Sequence, residues 1–197
     1  LNASLEADKN DLIEFIDSIT QWKNGKDTVE GPRNMIDMLQ WVKQYYYHGS
    51  MKGSNSIKKV LPAILSHSKF LQEKYSKPIY GSKEMSSLNL KEPTVWVRLQ
   101  NNTLMDPYKM LPPVFSDVPP EALETFPSKE DEEIREGGCA MMAWARIQFT
   151  EMGQKEVEAL SRALLRYCEL DTLAMVMIFE GFREEILTRT KGKKKIA

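Results

Sequence analysis

Over most of this chain, apolar residues recur at the three- and four-residue spacing of helices. Leu12, Ile13, Ile16, Ile19 and Trp22 predict a first helix from about Asp8 to Lys23, capped by Asp8 or Asn10 and broken by Asn24-Gly25-Lys26. Pro32 opens a second helix, with a stripe of Met35, Met38, Leu39, Val42, Tyr45 and Tyr46. A turn-like run from His48 to Asn55 follows. A third helix starts at Ser56, with Pro62 either kinking it or beginning a new turn, and a short helix covers Ser68 to Lys74.

Residues 77–127 hold most of the prolines and lose the period. Within them Thr94 to Leu99 alternates like a strand, and Asn101-Asn102 turns it into a short hairpin. An irregular segment this long is expected to be functional or flexible. Ser128 is placed to cap a short helix through the acidic run Glu130 to Glu133. Gly137-Gly138 leads into Cys139 to Phe149, whose small residues suit close helix packing, and a last helix runs from about Gly153 to Leu187. The pattern predicts a mainly α chain: one domain over residues 1–190, then a basic tail over 191–197.

Composition narrows the function classes. The 197 residues are 42% hydrophobic and 28% charged, as in ordinary globular proteins. No run of about 18 apolar residues suggests a membrane span. The opening residues, with Glu6, Asp8 and Lys9, do not read as a secretory signal. The chain opens on Leu1, so we expect it to be a piece of a larger, cytoplasmic protein. Cys139 and Cys168 lack zinc-finger spacing and read as reduced thiols. With His48 and His67 the only histidines, multi-histidine metal centres are excluded, and no G-x-S-x-G turn presents a serine nucleophile.

The net charge of −1 conceals an asymmetry. Eight lysines and one acid, Glu73, lie between Trp41 and Lys83, whereas Ser116 to Glu136 holds eight acids against Lys129 and Arg135. The basic region suggests a polyanion-facing side. The contiguous acids read as a solvated segment, because metal ligands converge from separate places.

The last helix carries the most chemistry. Leu160, Leu164, Tyr167, Met175, Ile178 and Phe182 fall on one face at 100° per residue, with Asp171 in their middle. Glu169 and Glu180 project to the opposite side and read as solvated charges. A carboxylate inside an apolar stripe needs a partner. Either Asp171 pairs with a cation or backbone donor in the core, or it is a divalent-metal ligand. In the second case the Tyr167 hydroxyl, one turn away, positions a water; otherwise Tyr167 is a half-buried core tyrosine.

Tyr167-Cys168-Glu169-Leu170-Asp171 fits the Y-x-x-x-D pattern of the third motif in DEDD-type 3′–5′ exonucleases, the tyrosine subtype of the ribonuclease H-like superfamily. The wider block YCELDTLAMVMIFE, the segment GSNSIKKVLPAIL from Gly53, and Gly137-Gly138-x-Ala140 resemble an uncharacterised bacterial family, domain of unknown function 2779, over nearly the whole chain. The resemblance implies the C-terminal portion of a ribonuclease H-like α/β domain. It also implies two Mg²⁺ or Mn²⁺ ions held by four acids, with Asp171 as one ligand and Tyr167 orienting the water. The family's first motif, D-x-E on a strand, has no counterpart here: Asp27-Thr28-Val29-Glu30 has the wrong spacing and reads as a loop. Asp37 sits opposite its helix's apolar stripe and reads as a first-turn residue facing the helix dipole. The missing acids are expected upstream of Leu1, so the chain alone should be inactive.

Lys52, Lys58 and Lys59 flank Gly53-Ser54-Asn55-Ser56, a turn followed by a helix N-cap. A helix N-terminus beside lysines is a natural phosphate site. Trp41, Tyr45, Tyr46, Tyr47, Phe70 and Tyr75 are interleaved as stacking platforms would be. The alternative is a capped turn with core aromatics. Lys191 to Lys195 either add phosphate contacts or form a solvated tail. The expected partners are DNA or RNA and the upstream part of the same protein. The competing expectation is a non-catalytic helical module that binds nucleic acid or a partner domain.

Overall fold

Asn24-Gly25 is a turn signal that outweighs helical periodicity. A computed structural model describes residues 2–90, 92–101, 103–113 and 137–193. It divides the chain into two compact units, residues 1–47 and 48–197. In the first, α1 (Asn2–Ile19) stops four residues short of the predicted end, and β1 (Gln21–Asn24) pairs antiparallel with β2 (Asp27–Glu30). Gly25 sits at φ 66°, as the first central residue of a two-residue hairpin turn requires. Trp22 therefore faces Val29 across the hairpin and does not extend the helical stripe.

The predicted start of the second helix is also corrected, because its backbone donors are used elsewhere. Gly31, Arg33 and Met35 donate to the carbonyls of Thr20, Ser18 and Ile19 at 2.9, 2.8 and 3.0 Å, satisfying the acceptors that the end of α1 leaves open. A Cβ on Gly31 would stand 2.1 Å from the Asp17 carbonyl oxygen, so only glycine lets the chain pass there. Helix α2 begins later, at Met38–Tyr45. Asp37 is its N-cap rather than a first-turn residue: Oδ1 accepts from the backbone N–H of Leu39 at 2.9 Å and of Gln40 at 3.4 Å.

The second unit begins with a 3₁₀ turn, Gly49–Met51, followed by α3 (Ile57–His67) and α4 (Lys69–Tyr75). Pro62 lies inside an unbroken α3, and Ser68 caps α4 by accepting from Leu71 N–H. The predicted strand from Thr94 does not form. Trp96 and Val97 N–H both donate to the Tyr75 carbonyl at 3.0 Å, tying this stretch to the end of α4. The hairpin turns where predicted, between Gln100 and Thr103, but its strands are shorter, with β3 (Leu99–Gln100) against β4 (Thr103–Leu104). A second 3₁₀ turn, Pro107–Met110, follows. The acidic stretch 116–136 and its Ser128 cap lie outside the described residues.

The described residues of this unit hold two further helices, α5 (Gly137–Phe149) and α6 (Gln154–Lys193). Helix α6 continues through Lys191 to Lys193, where a tail was predicted. It packs against α3, α4 and α5. Its buried seam runs through Leu160, Ala163, Tyr167, Leu170, Ala174, Met177 and Gly181, and it meets Leu61, Ile64 and Leu65 of α3 and Leu71 of α4 in the core. The seam is rotated from the predicted stripe: Met175 is 41% exposed, and Asp171 lies half-buried at the seam's edge rather than at its centre. The described residues are thus mainly helical, with two small antiparallel hairpins. No described helix is long and apolar enough to cross a membrane.

Candidate functional site

Tyr167 and Asp171 stand one helical turn apart on α6, which places both side chains along the same edge. The partner of Asp171 comes from the proline-rich segment. Asp106 Oδ1 accepts the Tyr108 N–H at 3.1 Å, Pro107 occupies the first position of the 3₁₀ turn, and Tyr108 is thereby fixed in the core at 2% exposure. Its hydroxyl donates to Asp171 Oδ1 at 2.5 Å. Burial, then the hydrogen bond and charge of Asp171, then Tyr167 and Asp106 push the Tyr108 phenol far above its ordinary range. Tyr108 is a fixed neutral donor.

Helix α3 brings the third element. The Lys58 ammonium lies 4.8 Å from the ring centroid of Tyr108 and 4.9 Å from that of Tyr167. The two rings stand 6.0 Å apart and tilted by 52°. An ammonium within about 6 Å of an aromatic face is attracted by the ring quadrupole. Lys58 was predicted as a phosphate contact, and Tyr167 with Asp171 as a separate catalytic pair. They meet in one cluster through Tyr108.

The other basic-loop residues lead into this cluster. Lys52 is exposed and adopts a left-handed conformation, φ 51°, closing the first 3₁₀ turn. Ser54 Oγ accepts from Ser56 N–H at 3.3 Å, and the Ser56 carbonyl accepts from Lys59 and Val60 N–H at 2.8 and 3.0 Å. Ser56 holds the N-cap position without a side-chain cap bond, Asn55 is half-buried, and Lys59 is exposed. His48 and His67 stack at 5.4 Å beside this loop, and His48 Nδ1 accepts from Ser50 N–H at 3.3 Å. Of the proposed stacking aromatics, Tyr75 is a core residue, whereas Tyr45 and Tyr47 of the first unit are about 80% exposed, at 78% and 80%.

Two acids predicted to be solvated are structural anchors. Glu169 accepts from the hydroxyls of Tyr80 and Ser87, each at 2.5 Å, and from Leu88 N–H, Asn89 N–H and Asn89 Nδ2. Burial raises its carboxyl, but the bonds from Ser87, Tyr80 and Asn89 outweigh that and hold it below the ordinary glutamate value. Glu180 accepts from Lys74 Nζ at 2.5 Å and from the Tyr75 hydroxyl at 3.0 Å. Sequence reasoning also missed Tyr108, although Asp106-Pro107 is a turn-initiating pair just before it.

Among the described residues, no three His, Cys, Asp or Glu side chains gather to hold a metal ion. Tyr108 is the one described hydrogen-bond partner of Asp171, and it engages Oδ1. The remaining oxygen fits one place in a metal's ligand set; the other places have no candidates beside it among these residues. No protein-family model matches the chain, and neither the curated proteins nor the solved structures offer a significant match.

Proposed function

We propose that this chain is the C-terminal part of a ribonuclease H-like, metal-dependent 3′–5′ exonuclease domain acting on phosphodiester bonds of DNA or RNA. The observation that carries the proposal is Lys58 lying over the rings of Tyr108 and Tyr167 while the Tyr108 hydroxyl bonds Asp171, which puts a cation suited to phosphate in one cluster with a tyrosine and a carboxylate. In this reading Lys58, with Lys52 and Lys59 nearby in sequence, draws the backbone phosphates to the start of α3. The Tyr167 hydroxyl orients the attacking water. Asp171 would supply one carboxylate ligand, and carboxylates from the upstream part of the same protein would complete the set. Mg²⁺ or Mn²⁺ bound there would supply Lewis acidity and an activated water. The test is degradation of a labelled single strand by the intact protein with Mn²⁺. Asp171→Ala should abolish it; a variant as fast as the parent would show the assignment to be wrong.

A second reading is favoured by the bond from Tyr108, which gives Asp171 a structural partner. It is a non-catalytic helical module that binds nucleic acid. Binding in EDTA should then weaken with salt and be lost when Lys52, Lys58 and Lys59 are changed to Glu; binding indifferent to those changes would sink it.

A further inference from the structure

We propose that Tyr45 and Tyr47 form a platform that holds one unpaired base of a single strand of DNA or RNA. The inference rests on the nucleic-acid partner of both readings above. It gives that partner a contact to its bases, where the lysines supply contacts to its phosphates. Of the seven tyrosines, Tyr75, Tyr80, Tyr108 and Tyr167 are buried and Tyr46 is half-buried. Only Tyr45 and Tyr47 are exposed, and they flank Tyr46 in the chain.

The backbone explains this division. Tyr45 is the last residue of α2, and Tyr46 leaves the helix in an extended conformation, φ −123° and ψ 126°. The Tyr46 N–H donates to the Val42 carbonyl at 3.1 Å, which fixes the exit. The two neighbours of an extended residue point to the side opposite its own. Because the Tyr46 hydroxyl is buried, Tyr45 and Tyr47 turn outward together. Across one extended residue their backbones stand about 6.6 Å apart. That is close to twice the rise of about 3.4 Å between stacked bases. Two rings at this spacing can take one base between them, and any base will serve, because each has a π-face.

Exposed tyrosines also occur at protein interfaces. The surrounding charge decides for a nucleic acid. Residues 38–72 hold five lysines and no acid. One of them, Lys43, is exposed in the last turn of α2, two residues before Tyr45 and four before Tyr47. Cations interleaved with open aromatic faces are what a sequence-tolerant single-strand site combines.

The test measures binding of the intact protein in EDTA to labelled oligothymidine and to an abasic strand of the same length. Tyr45→Ala and Tyr47→Ala should each weaken oligothymidine binding by about 5- to 140-fold and leave the salt slope unchanged. Tyr45→Phe and Tyr47→Phe keep the ring face and should bind like the parent. The abasic strand should bind the parent more weakly and be indifferent to all four changes. Alanine variants that bind oligothymidine like the parent would overturn the platform. So would phenylalanine variants as weak as the alanine ones, or an equal loss on the abasic strand. A change in subunit number with strand binding intact would make the pair a contact between proteins instead. In each of these cases the parent still binds strands, so only the platform fails. If the parent binds neither strand at low salt, the nucleic-acid partner itself is wrong and both readings fall with it.

Discussion

The Tyr80 hydroxyl donates to Glu169 Oε1 at 2.5 Å, although 89 residues separate the two along the chain. The bond joins the irregular segment after α4 to the middle of α6. Ser87, Leu88 and Asn89 converge on the same carboxylate, so one side chain organises a loop that has little regular structure of its own. Such a loop can be ordered only if its backbone donors find acceptors elsewhere.

Glu169→Ala should therefore destabilise the protein by more than a surface substitution does. The loss should be on the order of 2 kcal/mol, because several part-buried donors lose their shared acceptor. Urea unfolding checks the magnitude. Hydrogen exchange should show faster exchange at Leu88 and Asn89 than in the core of α6. An unfolding midpoint equal to the parent's would mean that the loop is held by something other than Glu169.

The pH dependence of stability has two limbs with opposite causes. The Glu169 carboxyl is held below the ordinary glutamate value of 4.5, so its contribution is complete above that pH and is lost as the pH falls through the lower folded value. Tyr75, Tyr80 and Tyr108 are all raised above 10.0, chiefly by burial. Their contribution is complete below that pH and is lost as the pH rises through the folded values. Urea midpoints across the pH range should show a plateau between the two limbs. Glu169→Gln should flatten the acid limb, and the buried Tyr75, Tyr80 and Tyr108 should ionise together with alkaline unfolding rather than before it.

Helix α6 shows why part of this was legible in the sequence and part was not. Its existence and start follow from periodicity, but its C-terminal end and its orientation do not, since large apolar residues lie on two sides. Leu165, Met175, Val176 and Phe179 are exposed, whereas the buried seam relies on Ala159, Ala163, Ala174 and Gly181, which carry little weight in a hydrophobicity pattern. Small residues mark that seam because neighbouring helices approach closely there. The misjudged rotation placed Asp171 too deep and Glu169 and Glu180 in solvent. Their partners, Tyr108, Tyr80 and Tyr75, come from distant segments, and single-chain periodicity holds no information about such pairings. The turns were more readable: Asn24-Gly25-Lys26 was read as a break and Asn101-Asn102 as a hairpin turn, and the two hairpins turn at those places.

Lys58 should separate electrostatic binding from packing. Lys58→Met keeps an apolar stem beside Tyr108 and Tyr167 but removes the charge. If Lys58 meets a phosphate, single-strand affinity in EDTA should fall, and the slope of log affinity against log salt should shrink by about 0.7. Loss of the cation–π contact should itself lower stability by about 0.5–1 kcal/mol. An unchanged salt slope with a large stability loss would make Lys58 a core-stapling residue.

Gly181 offers the sharpest test of the packing in the second unit. A Cβ built on it would lie 2.7 Å from Ile64 Cδ1 and 3.0 Å from Ile64 Cγ1 and Leu71 Cδ1. Alanine is the better helix former by about 1 kcal/mol, so propensity alone favours Gly181→Ala. Against that, Ile64 and Leu71 are fully buried, and forcing them aside in a packed core costs about 1–3 kcal/mol. Overpacking should win, leaving a net loss of about 1 kcal/mol. Ile64→Val removes Cδ1, the nearest atom, and by itself should cost about 1 kcal/mol through a small cavity. The double variant should be more stable than the sum of the two losses predicts, because each change relieves the other. A double-mutant cycle in urea measures that coupling. Strict additivity would mean that α3 and α6 adjust to the added methyl group without involving Ile64, and that the glycine is not what sets their distance.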